Sequence, residues 1–135
     1  MNIAIIAHDK KKELMVQFCI AYYGVFSKHN LFATRTTGEL VEEATKLSIK
    51  KFLSGSHGGV QQIAANIAVN DVDILFFFRD PDAKEGVDDI NILHACDKNT
   101  IPVATNIATA ESIIHALEQG YLGWIEIEKE NRNRL

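Results

Sequence analysis

Five short apolar runs, rich in Ile, Val, Leu and Phe, recur along this chain, and longer segments of helical spacing separate them. They are Asn2 to Ala7, Leu31 to Thr34, Ile49 to Leu53, Asp73 to Arg79 and Pro102 to Thr105. The middle runs are too continuously apolar to keep one face wet, so both faces of the sheet they build must be covered. Helices are expected near residues 11–27, 38–46, 60–70, 87–97 and 109–119. Strand and helix in alternation specify an α/β fold: a single domain, doubly wound, with a mainly parallel five-stranded sheet and helices on both faces. In the first helix Leu14, Phe18, Ala21, Tyr22 and Val25 form one apolar stripe that belongs to the core. The closing WIEIEKENRNRL opens on apolar-polar alternation and turns into charge. It reads as a short edge element and a charged C-terminal tail over residues 124–135, beside a domain at 1–123.

A domain of 135 residues can bury enough apolar surface to fold without disulfides or metal. Charged residues make up 24% of the chain and the formal net charge is −4, which argues against nucleic acid as a partner and makes any phosphate site local. Cys19 and Cys96 lie in apolar stretches with neither CxxC nor His spacing, so buried free thiols are expected, with no disulfide and no metal site. No apolar run approaches the roughly 18 residues of a membrane span, and the start lacks the pattern of a signal peptide. A cytoplasmic protein without a membrane partner is the expectation.

In an open parallel sheet, ligands collect where strands end and loops begin. The polar residues of this chain recur there: His8, Asp9 and Lys12 after the first strand, Thr34 to Gly38 after the second, Ser54 to Gly59 after the third, Asp80 and Pro81 after the fourth, Thr105 and Asn106 after the fifth. FLSGSHGGVQQIAANI has the build of a phosphate-binding turn, a small-residue loop followed by a helix whose N–H groups point back into it. FATRTTGEL offers three threonines and Arg35 before another helix. Thr37 there is either an anion ligand or only a cap. Lys12 supplies a full positive charge, or belongs with Lys10 and Lys11 to a solvated helix start. His8 and His57 sit in strand-end loops where they could touch a ligand, whereas His29 and His115 carry no motif and His94 lies on a helix, where a structural role is expected. Asp9, Asp80 and Asp89 stand out by position, with a turn-holding role open for Asp80.

Together these residues resemble methylglyoxal synthase over nearly the whole chain: IIAHDKKK, FATRTTGEL, the LSG, GG and QQI pieces around the third strand, FFRDP, and IPVATNIATAE. The resemblance implies a homohexameric α/β protein, with no metal or organic cofactor, that takes a proton from dihydroxyacetone phosphate, forms an enediolate and expels phosphate to leave methylglyoxal. Carried over by motif, Lys12, Thr34, Thr36, Thr37, Ser54 and Gly55 bind phosphate, His8 contacts the ligand, and Asp9, Asp80 and Asp89 are active-site carboxylates. Arg35 and His57 join the candidates by position.

The departures are as informative. The family pattern S-G-P-x-G-G-D-Q-Q carries its base just before the two glutamines, where this chain has Val60, and Ser56 replaces the proline. A Pro-His-x-x-Asp stretch normally follows the Asp-Pro motif, and its histidine helps to polarise the substrate oxygen. This chain has the shorter DAKEGVDDINIL, with Gly86 nearest the histidine position. Arg35 replaces a glycine of the threonine loop, adding charge to the site or crowding it. Losing a base costs about two to four powers of ten in rate, and losing an oxyanion-type hydrogen bond about two or three more. The expectation is a homologue that binds phosphate or dihydroxyacetone phosphate with lyase activity impaired or lost. Two alternatives remain: an active synthase with a relocated base among Asp9, Asp89 and His57, and a metabolite-sensing regulatory protein, since the fold also resembles the regulatory domain of carbamoyl phosphate synthetase.

Overall fold

The computed structural model describes residues 1–133. Five strands, β1 (Asn2–Ala7), β2 (Asn30–Ala33), β3 (Ile49–Lys51), β4 (Ile74–Phe78) and β5 (Val103–Ala104), form one sheet in the order β3-β2-β1-β4-β5. Every pairing is parallel, with Ile5 of β1 set between Ala33 of β2 and Phe76 of β4. The helices are α1 (Lys12–Ala21), α2 (Tyr23–Phe26), α3 (Arg35–Thr45), α4 (Gly59–Ala68), α5 (Val87–Lys98), α6 (Ile107–Glu118) and α7 (Trp124–Asn133).

The period of two along each strand divides the interior into two cores. Ile3, Ile5, Ile74, Phe76 and Phe78 point to one face, where Met15 and Phe18 of α1, Val41 of α3 and Ile114 of α6 cover them. Ala4, Ile6, Leu75 and Phe77 point to the other, against Ile63 and Ile67 of α4 and Ile92 and Cys96 of α5. This is the doubly wound sheet expected from the continuous apolar strands. Each large side chain so buried contributes roughly 1.5–3 kcal/mol. Both cysteines are buried and free, and burial pushes each thiol up to about 12.

The helix expected over 11–27 is divided into α1 and α2, β3 ends at Lys51 rather than Leu53, and the boundary between β2 and α3 is also shifted. Thr34 leaves the strand and becomes the N-cap of α3, which therefore starts three residues earlier than its apolar period suggests. Gly38 permits this, because a side chain there would meet Lys51 Cγ at 2.7 Å and Ala33 Cβ at 3.2 Å.

The larger correction concerns residues 124–133, expected as an edge element and tail, which form helix α7. Trp124, Ile125, Glu128, Lys129 and Arg132 repeat at helical spacing and face Asn70, Asp73, Asn99 and Thr100 at the N-terminal ends of β4 and β5. Ile125, 7% exposed, joins the first core. Lys129 Nζ lies 3.4 Å from Asp73 Oδ1, and Arg132 donates to Asn99 O at 3.0 Å and Asn70 Oδ1 at 3.3 Å. Alternation over a few residues was a weaker signal than the helix-favouring Glu, Lys and Arg that follow. Residues 134 and 135 of the expected tail lie outside the described residues. No helix among the described residues is long and apolar enough to cross a membrane.

Candidate functional site

After β1 the chain winds through β2 and β3 on one side, then returns to β4 and β5 on the other. The switch point therefore falls between β1 and β4, where a doubly wound sheet opens a crevice at its carboxyl ends. A cleft of about 480 Å³ lies there, lined by Ile6, Ala7, His8, Asp9, Lys10, Lys12, Thr34, Thr36, Ser54, Gly55, Ser56, Val60, Asp80, Ala83, Lys84 and Asp89. Most residues singled out at the strand ends thus meet in one place.

His8 spans the switch point. Its backbone N–H donates to Phe78 O at 3.0 Å, and its Nδ1 accepts the N–H of Asp80 at 2.8 Å. A ring nitrogen that accepts cannot carry a proton, so Nε2 is the protonated nitrogen and donates to Asp89 Oδ2 at 2.9 Å. Both edges of the imidazole are committed to protein groups. Lys12 Nζ donates to Ala7 O and to Asp9 Oδ1, each at 2.8 Å, which leaves one ammonium proton for the cleft. The hydrogen bond and charge of Lys12 hold the Asp9 carboxyl below its ordinary value, and Asp9 itself is 98% exposed. Asp80 Oδ1 accepts the N–H of Asp82 at 2.9 Å, so its turn-holding role is realised.

On the β2 and β3 side, two helices begin without side-chain caps: α3 at Thr34 and α4 at Gly58. Their first N–H groups have no intrahelical acceptor. The turn between β3 and α4 is tight, because a side chain at Gly59 would meet Leu53 O at 1.9 Å. Gln62 holds that turn by accepting the N–H of Leu53 at 2.8 Å, while Gln61 donates to Asp88 of α5 at 3.0 Å. Thr37, 1% exposed, has a hydroxyl without a hydrogen-bond partner. The N–H of Arg35 donates to Leu53 O at 3.3 Å and that of Gly59 to Ser54 O at 2.9 Å. Hydroxyls at Thr34, Thr36 and Ser54, the positive ends of the two helices and Lys12 together make a receptor for an anion.

Val60 forms part of the cleft wall from the second core. It is 5% exposed and packs among Ile6, Ile63 and their neighbours. Gly86, the N-cap of α5, has open space around it.

Three candidates stand off the cleft lining. Arg35 is exposed on α3 and pairs with Glu39 at 3.7 Å. Thr37 is buried on α3 and is not part of the lining. His57 braces the loop, its Nδ1 lying 2.6 Å from Ser54 Oγ and 3.1 Å from Ser56 Oγ. The lining adds Lys10, Ser56, Ala83 and Lys84, which residue type alone did not single out. Their signal was position, since each follows the end of β1, β3 or β4.

A neighbouring groove of about 530 Å³ shares His8, Asp80 and Ala83 and reaches Thr105 and Asn106. Its polar groups are largely engaged: Asn106 caps α6 by accepting from Thr109 N at 3.1 Å, and Arg79 pairs with Glu85. Among the described residues no group of three or more His, Cys, Asp or Glu side chains could hold a metal ion.

Fold and site together define a small doubly wound α/β domain with an anion-receiving cleft at its switch point. Residues 15–105 match the MGS-like domain family, and the chain belongs to that family. It is 57% identical over 129 residues to the methylglyoxal synthase of Caldicellulosiruptor saccharolyticus, covering 94% of this chain and 92% of that one. With the methylglyoxal synthase of Oceanobacillus iheyensis the identity is 52%, over 99% and 97% of the two chains. The crystal structure of methylglyoxal synthase from Elizabethkingia anophelis is similar with a TM-score of 0.78 at 37% identity, over 84% of this chain and 76% of that one. This is a methylglyoxal-synthase-like protein.

Proposed function

We propose that this chain binds inorganic phosphate or dihydroxyacetone phosphate in the cleft above β1 and β4, with its lyase activity strongly reduced or lost. The observation that carries the reading is Val60, an apolar side chain at the cleft wall where the resemblance to methylglyoxal synthase requires a base. A valine has no lone pair to accept a proton.

In this reading Thr34, Thr36, Ser54, Gly55 and Lys12 hold the phosphate, and the buried Thr37 hydroxyl on α3 is a further polar group. Proton abstraction then lacks an acceptor. Asp9 is paired with Lys12, which depresses its basicity. Asp80 is engaged by the Asp82 N–H, and Asp89 by His8. The imidazole N–H that could polarise a substrate oxygen is directed at Asp89, and Gly86 supplies no side chain. The strong identity to named methylglyoxal synthases supports a phosphorylated triose as the ligand.

A second reading, an active synthase with Asp89 as relocated base, is favoured by one observation: Asp89 lines the same cleft and its side chain is only 15% exposed. A domain that binds without turnover would serve as a metabolite sensor. We further propose a closed homo-oligomer, a hexamer, working in the cytoplasm.

Calorimetric titration of phosphate and dihydroxyacetone phosphate into the protein and into Lys12→Ala tests the site. Charge-assisted contacts dominate such receptors, so affinity should fall by roughly tenfold or more. Unchanged affinity would exclude the site.

A further inference from the structure

We infer that Tyr22, Glu111 and His115 form a zinc-binding site that joins α1 to α6, on a surface apart from the cleft. None of the three lines the cleft. Lys12, which does, opens α1, whereas Tyr22 caps the other end of the same helix, about 15 Å away at 1.5 Å per residue.

The geometry comes first. Glu111 and His115 stand one turn apart on α6, so their side chains share a face. Tyr22 meets that face: its hydroxyl donates to Glu111 Oε2 and lies 3.2 Å from His115 Nε2, while His115 Nε2 lies 3.6 Å from Glu111 Oε2. One nitrogen and two oxygens thus make a triangle. Zinc holds such donors at about 2.0–2.2 Å in a tetrahedron, whose edges are then about 3.3–3.6 Å. Two edges of the triangle already have nearly that length. The third is the Tyr22–Glu111 hydrogen bond, which lengthens when zinc takes the place of its proton, and water completes the tetrahedron.

Packing holds the donors in place before any ion arrives. The Tyr22 ring lies against Phe18 of the first core with centroids 5.2 Å apart, and the His115 ring meets it edge-on at 5.6 Å. Ala110 and Ile114, both buried in that core, fix the rotation of α6 and with it the direction of their neighbours Glu111 and His115. Less side-chain freedom is then lost on binding. His115 is exposed and Glu111 half-buried, so an ion enters without opening the core.

Charge points the same way. The hydrogen bond to Glu111 above all, then partial desolvation and the negative charges of Glu111 and Glu118, push the Tyr22 phenol above its ordinary value. Anions that oppose a bare phenolate favour a cation beside it. A bound divalent ion reverses the balance, because it becomes the largest local charge and expels the proton of a coordinating group. Tyr22 releases its proton to solvent, and His115 keeps one proton on Nδ1 and turns the Nε2 lone pair to the metal.

The test titrates Zn²⁺ into the metal-free protein, by calorimetry in two phosphate-free buffers of different ionisation enthalpy and by ultraviolet difference absorbance. The expected result is about one ion per chain, about one proton released per ion, and the appearance of a tyrosinate band. Tyr22→Phe, which keeps a ring on Phe18, should lose the band and bind roughly tenfold or more weakly, and His115→Gln should weaken binding by a similar factor. Tyr23→Phe and Tyr121→Phe, which change the other tyrosines, should keep both band and affinity. Zinc should raise the melting temperature of the parent and of these two, but not of Tyr22→Phe or His115→Gln. No binding up to about 1 mM zinc overturns the inference. Binding without a tyrosinate band, or a band that survives Tyr22→Phe, overturns ligation by Tyr22. Affinity undiminished in His115→Gln places the ion elsewhere and overturns the site.

Discussion

Val60 serves two masters at the residue scale: its methyl groups complete the core around Ile6 and Ile63, and its surface closes one side of the cleft. Packing is satisfied while a carboxylate's chemistry is missing. Val60→Asp should therefore raise methylglyoxal formation from dihydroxyacetone phosphate by at least about tenfold, part of the 10²–10⁴-fold that a general base supplies. It should also lower thermal stability, because a carboxylate replaces a methyl group packed in the core. Gly86→His is sterically free, since nothing stands within 4 Å of the position where its Cβ would lie. Coupled rate and melting measurements on the single and double variants check both effects, and an unchanged rate in Val60→Asp would direct attention to Asp89. Residues such as His8, Asp9 and Lys12 were legible because strand-end position and side-chain chemistry coincide. The pairing of His8 with Asp89 was not, since 81 positions separate them and only the folded sheet brings them to 2.9 Å.

At the scale of elements, the turn from β3 into α4 depends on backbone clearance. A side chain at Gly59 would collide with Leu53 O at 1.9 Å, whereas one at Gly24, in α2, meets nothing within 4 Å. Gly59→Ala is expected to destabilise the fold by about 1–3 kcal/mol and to weaken phosphate binding by disturbing Ser54 and Gly55. Gly24→Ala should be neutral or stabilising by up to about 1 kcal/mol. Denaturant titrations of the pair check this, and equal effects would mean that the turn tolerates a side chain. The strands of the sheet were readable because continuous apolar runs leave few alternatives. Helix α7 was not, because Trp124 to Glu128 alternates like a strand, and its docking partners Asp73 and Asn99 lie far away in sequence. The start of α3 was misplaced for a related reason: Arg35, Thr36 and Thr37 carry no apolar period, and their helical state follows from how Thr37 and Gly38 pack inward.

For the whole molecule, burial of both thiols sets an alkaline limit on stability. In the folded state each is pushed up to about 12 from an ordinary 9.0, so above pH 9 the unfolded chain has lost protons that the folded chain retains. Stability contributed by the cysteines is then present below pH 9 and declines as pH rises toward 12, by up to about 1.4 kcal/mol per unit for each thiol. Unfolding free energies measured between pH 8 and 10.5 should fall more steeply for the parent than for a Cys19→Ala, Cys96→Ala variant, and parallel slopes would contradict this. A closed hexamer would appear in light scattering as a mass near six times the 15.1 kDa of one chain, and a monomeric mass at micromolar concentration would remove that proposal. The central claim, that ligand binding has been separated from turnover, is tested most directly by one sample measured two ways: phosphate and dihydroxyacetone phosphate affinity by calorimetry, and methylglyoxal release from dihydroxyacetone phosphate by the same protein. Binding with release at least about a hundredfold below that of a methylglyoxal synthase measured in parallel is the expected result. Release at the rate of that synthase would contradict the account and move the base to another residue of the cleft.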